Sequence, residues 1–123
     1  MQKIAINVSK SYESGFILSE RAIEYLTERC DREEINRCVA PGIRPEYRVD
    51  SYFRQRRNHP LLIQMIDELG SDAVSDFNSS IEVIEIPDGV EWLVNCNQDG
   101  YEWITEKSRS WLFKEKRLYP SAA

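Results

Sequence analysis

Residues 81–106 have the sequence IEVIEIPDGVEWLVNCNQDGYEWITE, in which two turn motifs separate three short runs rich in β-branched and aromatic residues. Ile81–Ile86 ends at the turn Pro87-Asp88-Gly89, and Val90–Cys96 ends at the hairpin turn Asn97-Gln98-Asp99-Gly100. Side chains then alternate in character along Tyr101–Thr105, as they do in strands. The stretch therefore predicts an antiparallel three-stranded meander at the C-terminal end of the fold.

The first forty residues predict one strand followed by two helices. Apolar and polar residues alternate over positions 4–8, which predicts a half-buried first strand. Ser19 is a natural N-cap for a helix over about residues 20–30. Asp31 and Glu34 have the spacing of a capping box, which predicts a second short helix that runs to about Val39.

The middle of the chain predicts an irregular segment and one further helix. Residues 41–59 begin with proline and glycine and predict an irregular excursion. Pro60 opens a helix with apolar residues on one face, and Gly70 ends it. Ser71–Ser79 is predicted as a connector, with one further helical turn as an option.

The prediction for residues 1–123 is a single α+β domain with an N-terminal strand, two to three helices and the C-terminal meander. No apolar stretch approaches the roughly 20 residues of a membrane span, and the N-terminus lacks the apolar region of a signal peptide. The three cysteines form no CxxC motif, which is typical of a reducing compartment and predicts small core residues. We therefore expect a cytoplasmic protein without contact to a membrane.

Charge is strongly segregated along the sequence. No lysine or arginine lies between Arg57 and Lys107, whereas residues 1–57 carry a net charge of +2 and residues 107–123 one of +4. The stretch between them carries eleven acids, namely Asp67, Glu68, Asp72, Asp76, Glu82, Glu85, Asp88, Glu91, Asp99, Glu102 and Glu106. Most of these are expected on solvated faces, but the segregation also favours self-association, because a basic patch on one copy can meet an acidic face on another. A duplex nucleic acid is a poor partner for so acidic a chain.

Residues 44–57 form the first candidate binding segment. Five arginines, among them Arg54 and Arg57, are interleaved with aromatic residues, and Asn58 follows directly. Guanidinium groups bind phosphates in bidentate fashion and aromatic rings stack on bases, so the segment suits a small phosphorylated ligand. A solvated loop whose arginines pair with the acidic half explains the pattern equally well, and the sequence leaves both interpretations open.

The C-terminal arginine and aromatic residues form a second candidate. Arg109 and Trp111 follow Tyr101 and Trp103, and together they can clamp a nucleotide by stacking and phosphate contact. Each tryptophan taken singly is equally expected in a core or an interface.

The start of the first helix is the third candidate. Gly15 and Phe16 precede the Ser19 cap, and Arg21 lies in the first turn. A helix N-terminus offers free backbone N–H groups to an anion.

Motifs of catalysis are missing from the sequence. The only histidine, His59, lies beside Pro60 at a helix start, where capping or solvent exposure is the common role. The GxSxG, HExxH, P-loop and GxGxxG motifs are absent, and the spacing of cysteines and histidine does not suit zinc. The sequence therefore predicts a binding protein rather than an enzyme, without a metal or a cofactor.

Three strings of this sequence resemble those of a family of small phage proteins, the Thoeris anti-defence sponge family of the first type. The first string is Lys3-Ile4-Ala5-Ile6-Asn7 followed by Gly15-Phe16-Ile17-Leu18-Ser19-Glu20. The second is Glu85-Ile86-Pro87-Asp88-Gly89-Val90-Glu91-Trp92. The third is Asp99-Gly100-Tyr101-Glu102-Trp103-Ile104, which continues through Glu106, Arg109 and Trp111. The resemblance covers about half of the chain.

The resemblance implies a specific function and site. Such proteins bind, without cleaving it, the cyclic ADP-ribose isomer that bacterial TIR-domain enzymes make, and they withhold it from the defence effector in the infected host. They are oligomers built from dimers, and some also hold cyclic oligonucleotides at separate sites. By this resemblance and the chemistry above, the predicted ligand-binding residues are Phe16, Arg21, Tyr101, Arg109 and Trp111. A possible second nucleotide site is formed by Arg54, Arg57 and Asn58.

Two other functional classes compete with this interpretation. An acidic protein that mimics the phosphates of DNA can occupy a host nucleic-acid-binding protein, but a mimic needs a regular ladder of carboxylates. The acids here fall among apolar residues of predicted strands instead. A small nucleotide-processing enzyme needs a second catalytic group that the sequence does not offer.

Overall fold

The structure, a computed structural model, describes residues 1–106 and is of the α+β class predicted from the sequence. One N-terminal strand precedes five helices, and three strands follow them. The elements are β1 Gln2–Asn7, α1 Glu20–Arg29, α2 Arg32–Cys38, α3 Pro45–Arg54, α4 Pro60–Leu69, α5 Ser71–Val74, β2 Ile81–Ile86, β3 Trp92–Cys96 and β4 Glu102–Glu106. Within residues 1–106, no helix is both long and apolar enough to span a bilayer.

Local capping signals determine where three of the helices begin. The backbone N–H of Ala22 donates to Ser19 Oγ (3.1 Å), and the Asp31 carboxylate accepts the N–H groups that open α2. His59 caps α4, since its Nδ1 accepts the N–H of Leu61 (3.0 Å). Each cap satisfies a donor that has no partner within its helix. These three helix starts were predicted correctly.

The expected irregular excursion contains a regular helix, α3, so that prediction was wrong. Pro45 occupies its first turn, where a proline costs no hydrogen bond. Tyr52 and Phe53 are buried at its C-terminal end, and Val49 packs against the same core. Arginines interrupt this apolar stripe in the sequence, so the helical spacing is weak there. The proline and glycine residues at the start of the segment therefore predicted irregular structure.

The predicted three-stranded meander is also wrong, although its hairpin is correct. β3 pairs with β4 in antiparallel register around the turn at 97–100, with Trp92 opposite Glu106. β2 instead pairs with β1, with Gln2 opposite Ile86 and Asn7 opposite Ile81. The two pairs form separate two-stranded sheets. Turn chemistry specifies neighbouring pairs, whereas a pairing across more than seventy residues depends on tertiary packing.

The β1–β2 sheet lies between the helices and the β3–β4 hairpin. Ile4 and Ile6 of β1 pack with Ile86 and Ile104, whereas Ala5 belongs to the cluster formed with the helices. Residues 4–7 are therefore buried on both faces, which corrects the predicted half-buried strand. The cysteines also differ from prediction, since Cys38 and Cys96 are exposed and only Cys30 packs against the core.

Candidate functional site

The N-terminal loop and the turn of the β3–β4 hairpin are in direct contact. Ser14 Oγ donates to the carbonyl oxygen of Asp99 (2.7 Å), and the side-chain amide of Asn7 donates to the carbonyl oxygen of Gly100 (2.9 Å). Gly100 has a φ of 89°, and a Cβ there would collide with the carbonyl oxygen of Ser14. Only glycine fits this close approach. We call the contact between residues 7–16 and 99–103 the loop–hairpin junction.

A buried ion pair between Arg57 and Glu102 lies at the base of this junction. The two side chains form two parallel hydrogen bonds, from Nη1 to Oε1 (2.7 Å) and from Nη2 to Oε2 (3.0 Å). Arg57 is 8% exposed and Glu102 is 7% exposed. Bidentate geometry of this kind is the strongest form of arginine–carboxylate contact.

The same ion pair closes the free edge of β1. The N–H of Ala5 donates to the carbonyl oxygen of Arg57 (2.8 Å), and Arg57 Nη1 donates to the carbonyl oxygen of Ala5 (3.3 Å). The N–H of Asn7 donates to Glu102 Oε1 (2.8 Å). Buried backbone groups need such partners, because β2 occupies only the other edge of β1. With a further bond from Nε to the carbonyl oxygen of Arg54, the guanidinium uses four of its five N–H donors within the chain.

Phe16 and Tyr101 each lie at the junction, and both rings are largely covered. The Arg57 guanidinium lies 3.8 Å from the centre of the Phe16 ring, and Phe16 is 4% exposed. The ring centroids of Tyr101 and Trp103 are 6.2 Å apart, and Lys10 Nζ lies 5.2 Å from the centre of the Tyr101 ring. The solvent-facing groups here are therefore the Lys10 ammonium and the half-buried Trp103 indole.

The remaining residues of the predicted first site are less constrained by the structure. Arg21 is exposed on the first turn of α1 and forms no ion pair with the described part of the chain. Arg109 and Trp111 lie outside the described residues. The structure thus places Phe16 and Tyr101 within the segments that form the loop–hairpin junction, and the ligand contacts of all five residues stay predictions.

The structure separates the side chains of the predicted second site. Arg57 is internal, as described above. Arg54 pairs with Asp50 (2.8 Å) and lines a cavity of about 420 Å³ on α3 that also includes Tyr47. Asn58 lines a different cavity of about 530 Å³ next to Lys3. Neither cavity includes the other residue, so the segment does not form one pocket around all three.

Several residues that hold the junction together were not predicted as site residues from the sequence. Glu102 was counted among acids expected mostly on solvated faces, and Asn7 and Lys10 were not singled out as candidate site residues. A signal for Glu102 exists, because it shares a strand face with Ile104, and a buried carboxylate requires a cationic partner. Nothing local identifies that partner as Arg57, forty-five residues away.

The junction offers binding groups rather than a catalytic pair. Ser14 Oγ contacts the carbonyl oxygens of Ser9 and Asp99 and the amide of Asn7, none of which can act as a base. Within residues 1–106, no three side chains of histidine, cysteine, aspartate or glutamate converge as metal ligands. A cation beside aromatic rings suits an anionic ligand with a flat ring system.

Comparison with protein-family models, with curated proteins and with solved structures finds no match for this chain.

Proposed function

We propose that this protein is a phage anti-defence protein that sequesters a cyclic nucleotide immune signal, an isomer of cyclic ADP-ribose, without cleaving it. It acts in the cytoplasm of the infected bacterium, where it competes with the defence effector for the signal made by TIR-domain enzymes. Binding alone is sufficient for this role, so neither an enzyme activity nor a cofactor is required.

One observation carries the proposal: the first and third strings that resemble the sponge family touch each other. They are separated by about eighty residues, yet the side-chain amide of Asn7 in the first string donates to the carbonyl oxygen of Gly100 in the third (2.9 Å), and the backbone N–H of Asn7 donates to Glu102 Oε1 (2.8 Å). A binding site shared by these strings requires such proximity. Two surface segments that resemble the family only by chance would have no reason to lie in contact.

In this proposal the junction supports the ligand, and exposed cations attract it. Phe16 and Arg57 form a rigid floor, because one is stacked on the other and both are buried. Lys10 and Arg21 provide accessible positive charge, and Arg109 and Trp111 add phosphate contact and stacking as the resemblance implies. A dianionic ligand held by a few charge-assisted hydrogen bonds and stacked rings can reach nanomolar affinity, about 12 kcal/mol.

Release of an intact ligand tests the proposal directly. The protein is incubated with cyclic ADP-ribose isomers, free ligand is removed, and the protein is heat-denatured before the released nucleotide is analysed. We expect one isomer to be recovered with its ring closed. A linear product would mean that the protein is an enzyme, and recovery of no isomer would reject cyclic ADP-ribose as the ligand.

Variants of exposed arginines localise the binding. Arg21→Ala should lower affinity for the retained isomer, whereas Arg37→Ala serves as the control, because Arg37 pairs with Glu34 on α2 (2.7 Å). Both side chains are exposed, so both variants should fold like the wild type. Equal affinities of the two variants would remove Arg21 from the proposed site.

A further inference from the structure

A third cavity, of about 450 Å³, lies on the helical side of the molecule. It is bounded by the α1–α2 connection, the end of α3 and the start of α4. The residues that line it are Arg29, Cys30, Asp31, Glu34, Tyr52, Phe53, His59 and Leu61. We infer that this cavity binds a small molecule in which a phosphate or carboxylate group is attached to a flat ring.

Two side chains at the cavity have hydrogen-bonding groups without a partner. Tyr52 is 5% exposed, and its hydroxyl makes no hydrogen bond to the described residues. His59 uses Nδ1 to accept the N–H of Leu61, which places the proton of the neutral ring on Nε2, and Nε2 is likewise unpaired among residues 1–106. No side-chain N or O atom that is fully buried in residues 1–106 lacks a hydrogen-bond partner, so neither of these two atoms is sealed from solvent, and both residues line the cavity. A ligand oxygen is the acceptor that both donors lack.

The surroundings of the His59 ring favour its neutral form. Burial lowers the pKa of His59, and the nearby charge of Arg56 lowers it further, while Glu34 opposes the shift. The ring packs edge-on against Tyr52 and Phe53, with centroid distances of 5.8 and 5.0 Å. Its Nε2–H is therefore a fixed donor into the cavity.

Two guanidinium groups, one lining the cavity and one next to it, can donate hydrogen bonds to an anion. Cζ of Arg29 lies over the Tyr25 ring, 3.8 Å from its centre, and Cζ of Arg56 lies over the Tyr52 ring, 4.0 Å from its centre. Arg29 uses only Nη1 in hydrogen bonds within the described chain, which leaves Nε and Nη2 for a ligand. Stacking holds both guanidinium groups in place, so little side-chain entropy is lost when they bind.

The two carboxylates of the cavity wall are already engaged. Asp31 accepts the N–H groups of Glu33 and Glu34 as the cap of α2. Glu34 accepts hydrogen bonds from Arg37 (2.7 Å) and from the thiol of Cys38 (3.1 Å). Both carboxylates of the cavity wall therefore have partners in the chain, and Arg29 pairs with Glu28 (3.4 Å) through Nη1.

The apolar part of the cavity wall is the reason for expecting a ligand with a flat ring. Phe53 is fully buried, so the accessible apolar surface comes from Leu61 and Cys30, which are partly buried and pack against the same core. A volume of about 450 Å³ lies within the range of small-molecule sites. An oxyanion at Tyr52 and His59 would place an attached ring against this apolar surface.

His59 is the only histidine of the chain, so its imidazole NMR signals report on the cavity without ambiguity. We would titrate the protein with inorganic phosphate, phenyl phosphate and benzoate, with chloride at matched ionic strength as the control. We expect saturable shifts of the His59 signals, with phenyl phosphate at least tenfold tighter than phosphate because its ring is also buried. Phenyl phosphate and benzoate distinguish a phosphate ligand from a carboxylate. Signals that move equally with chloride, or not at all, would overturn the inference.

Tyr52→Phe separates binding from folding. The variant removes only a hydroxyl without a partner, so its melting temperature should match the wild type, whereas phenyl phosphate affinity should fall about tenfold or more. Arg29→Gln should weaken binding in the same way, and Arg54→Gln, on the far side of α3, should not. Unchanged affinity in both Tyr52→Phe and Arg29→Gln would place the bound anion elsewhere and reject this cavity.

Discussion

Replacing Arg57 by alanine removes the cation of the buried ion pair and leaves Glu102 inside the protein. Glu102 then keeps one donor, the N–H of Asn7, and Ala5 loses a partner for its carbonyl oxygen. Breaking a buried pair in this way costs about 3–5 kcal/mol, because the remaining carboxylate is neither solvated nor paired. This is a large part of the roughly 5–15 kcal/mol by which domains are stable.

Arg54→Ala is the matched control for this prediction. Arg54 lies three residues earlier, and its pair with Asp50 is on the surface at (i, i+4) spacing. Such a pair contributes only about 0.3–0.5 kcal/mol. In urea unfolding followed by circular dichroism, Arg57→Ala should therefore lose several kcal/mol and Arg54→Ala almost nothing. A melting temperature lower by roughly 10–25 °C should accompany the loss.

A double variant tests the cause of the effect. Arg57→Met with Glu102→Gln removes both charges and keeps an acceptor for the N–H of Asn7. It should be more stable than Arg57→Ala by at least about 1 kcal/mol, since no unpaired carboxylate remains buried. Equal midpoints for Arg57→Ala and Arg54→Ala would refute the internal role of Arg57 and return it to the candidate ligand residues.

Four further predictions concern the turns, the helix cap, the ligand and the assembly. Gly100→Ala should destabilise the protein more than Gly89→Ala in thermal melts, because both glycines have positive φ but only Gly100 lies against Ser14; equal losses would contradict the close approach. Stability should fall between pH 7 and 5.5, because the pKa of His59 is lowered in the folded protein and the unfolded chain therefore binds a proton more readily below about pH 6.5. His59→Asn should remove this pH dependence, since asparagine can still cap the helix but does not titrate. An identical pH profile for the variant would exclude His59 as the source. In calorimetric titrations, Arg109→Ala should weaken binding of the retained cyclic ADP-ribose isomer by roughly 30- to 1,000-fold, and the melting temperature should not change. A lowered melting temperature at unchanged affinity would instead assign Arg109 a structural role. Light scattering at micromolar concentration should give the mass of a dimer or a higher even-numbered oligomer, and a monomer would remove the assembly argument.

The structure also shows why the arginine-rich segment was ambiguous. Of its two interpretations, internal pairing with acids describes Arg57, and a phosphate site stays a prediction. Arg57 pairs with an acid of the C-terminal half, and Arg56 stacks on Tyr52 beside the helical cavity. These neighbouring arginines follow the C-terminal end of α3, where the chain turns, so their side chains have different surroundings that the sequence pattern does not distinguish.

Local chemistry in the sequence determined the helix starts at Ser19, Asp31 and His59 and the hairpin turn at 97–100. Each of these depends on hydrogen bonds within a few residues, so the signal and the structure lie in the same short segment. The tertiary structure alone decided that β2 pairs with β1, that β1 is buried on both faces, and that Glu102 points inward to Arg57. These features depend on which distant surfaces meet, because burial changes the preferred partner of a strand edge or a carboxylate, and no short window of sequence contains both partners.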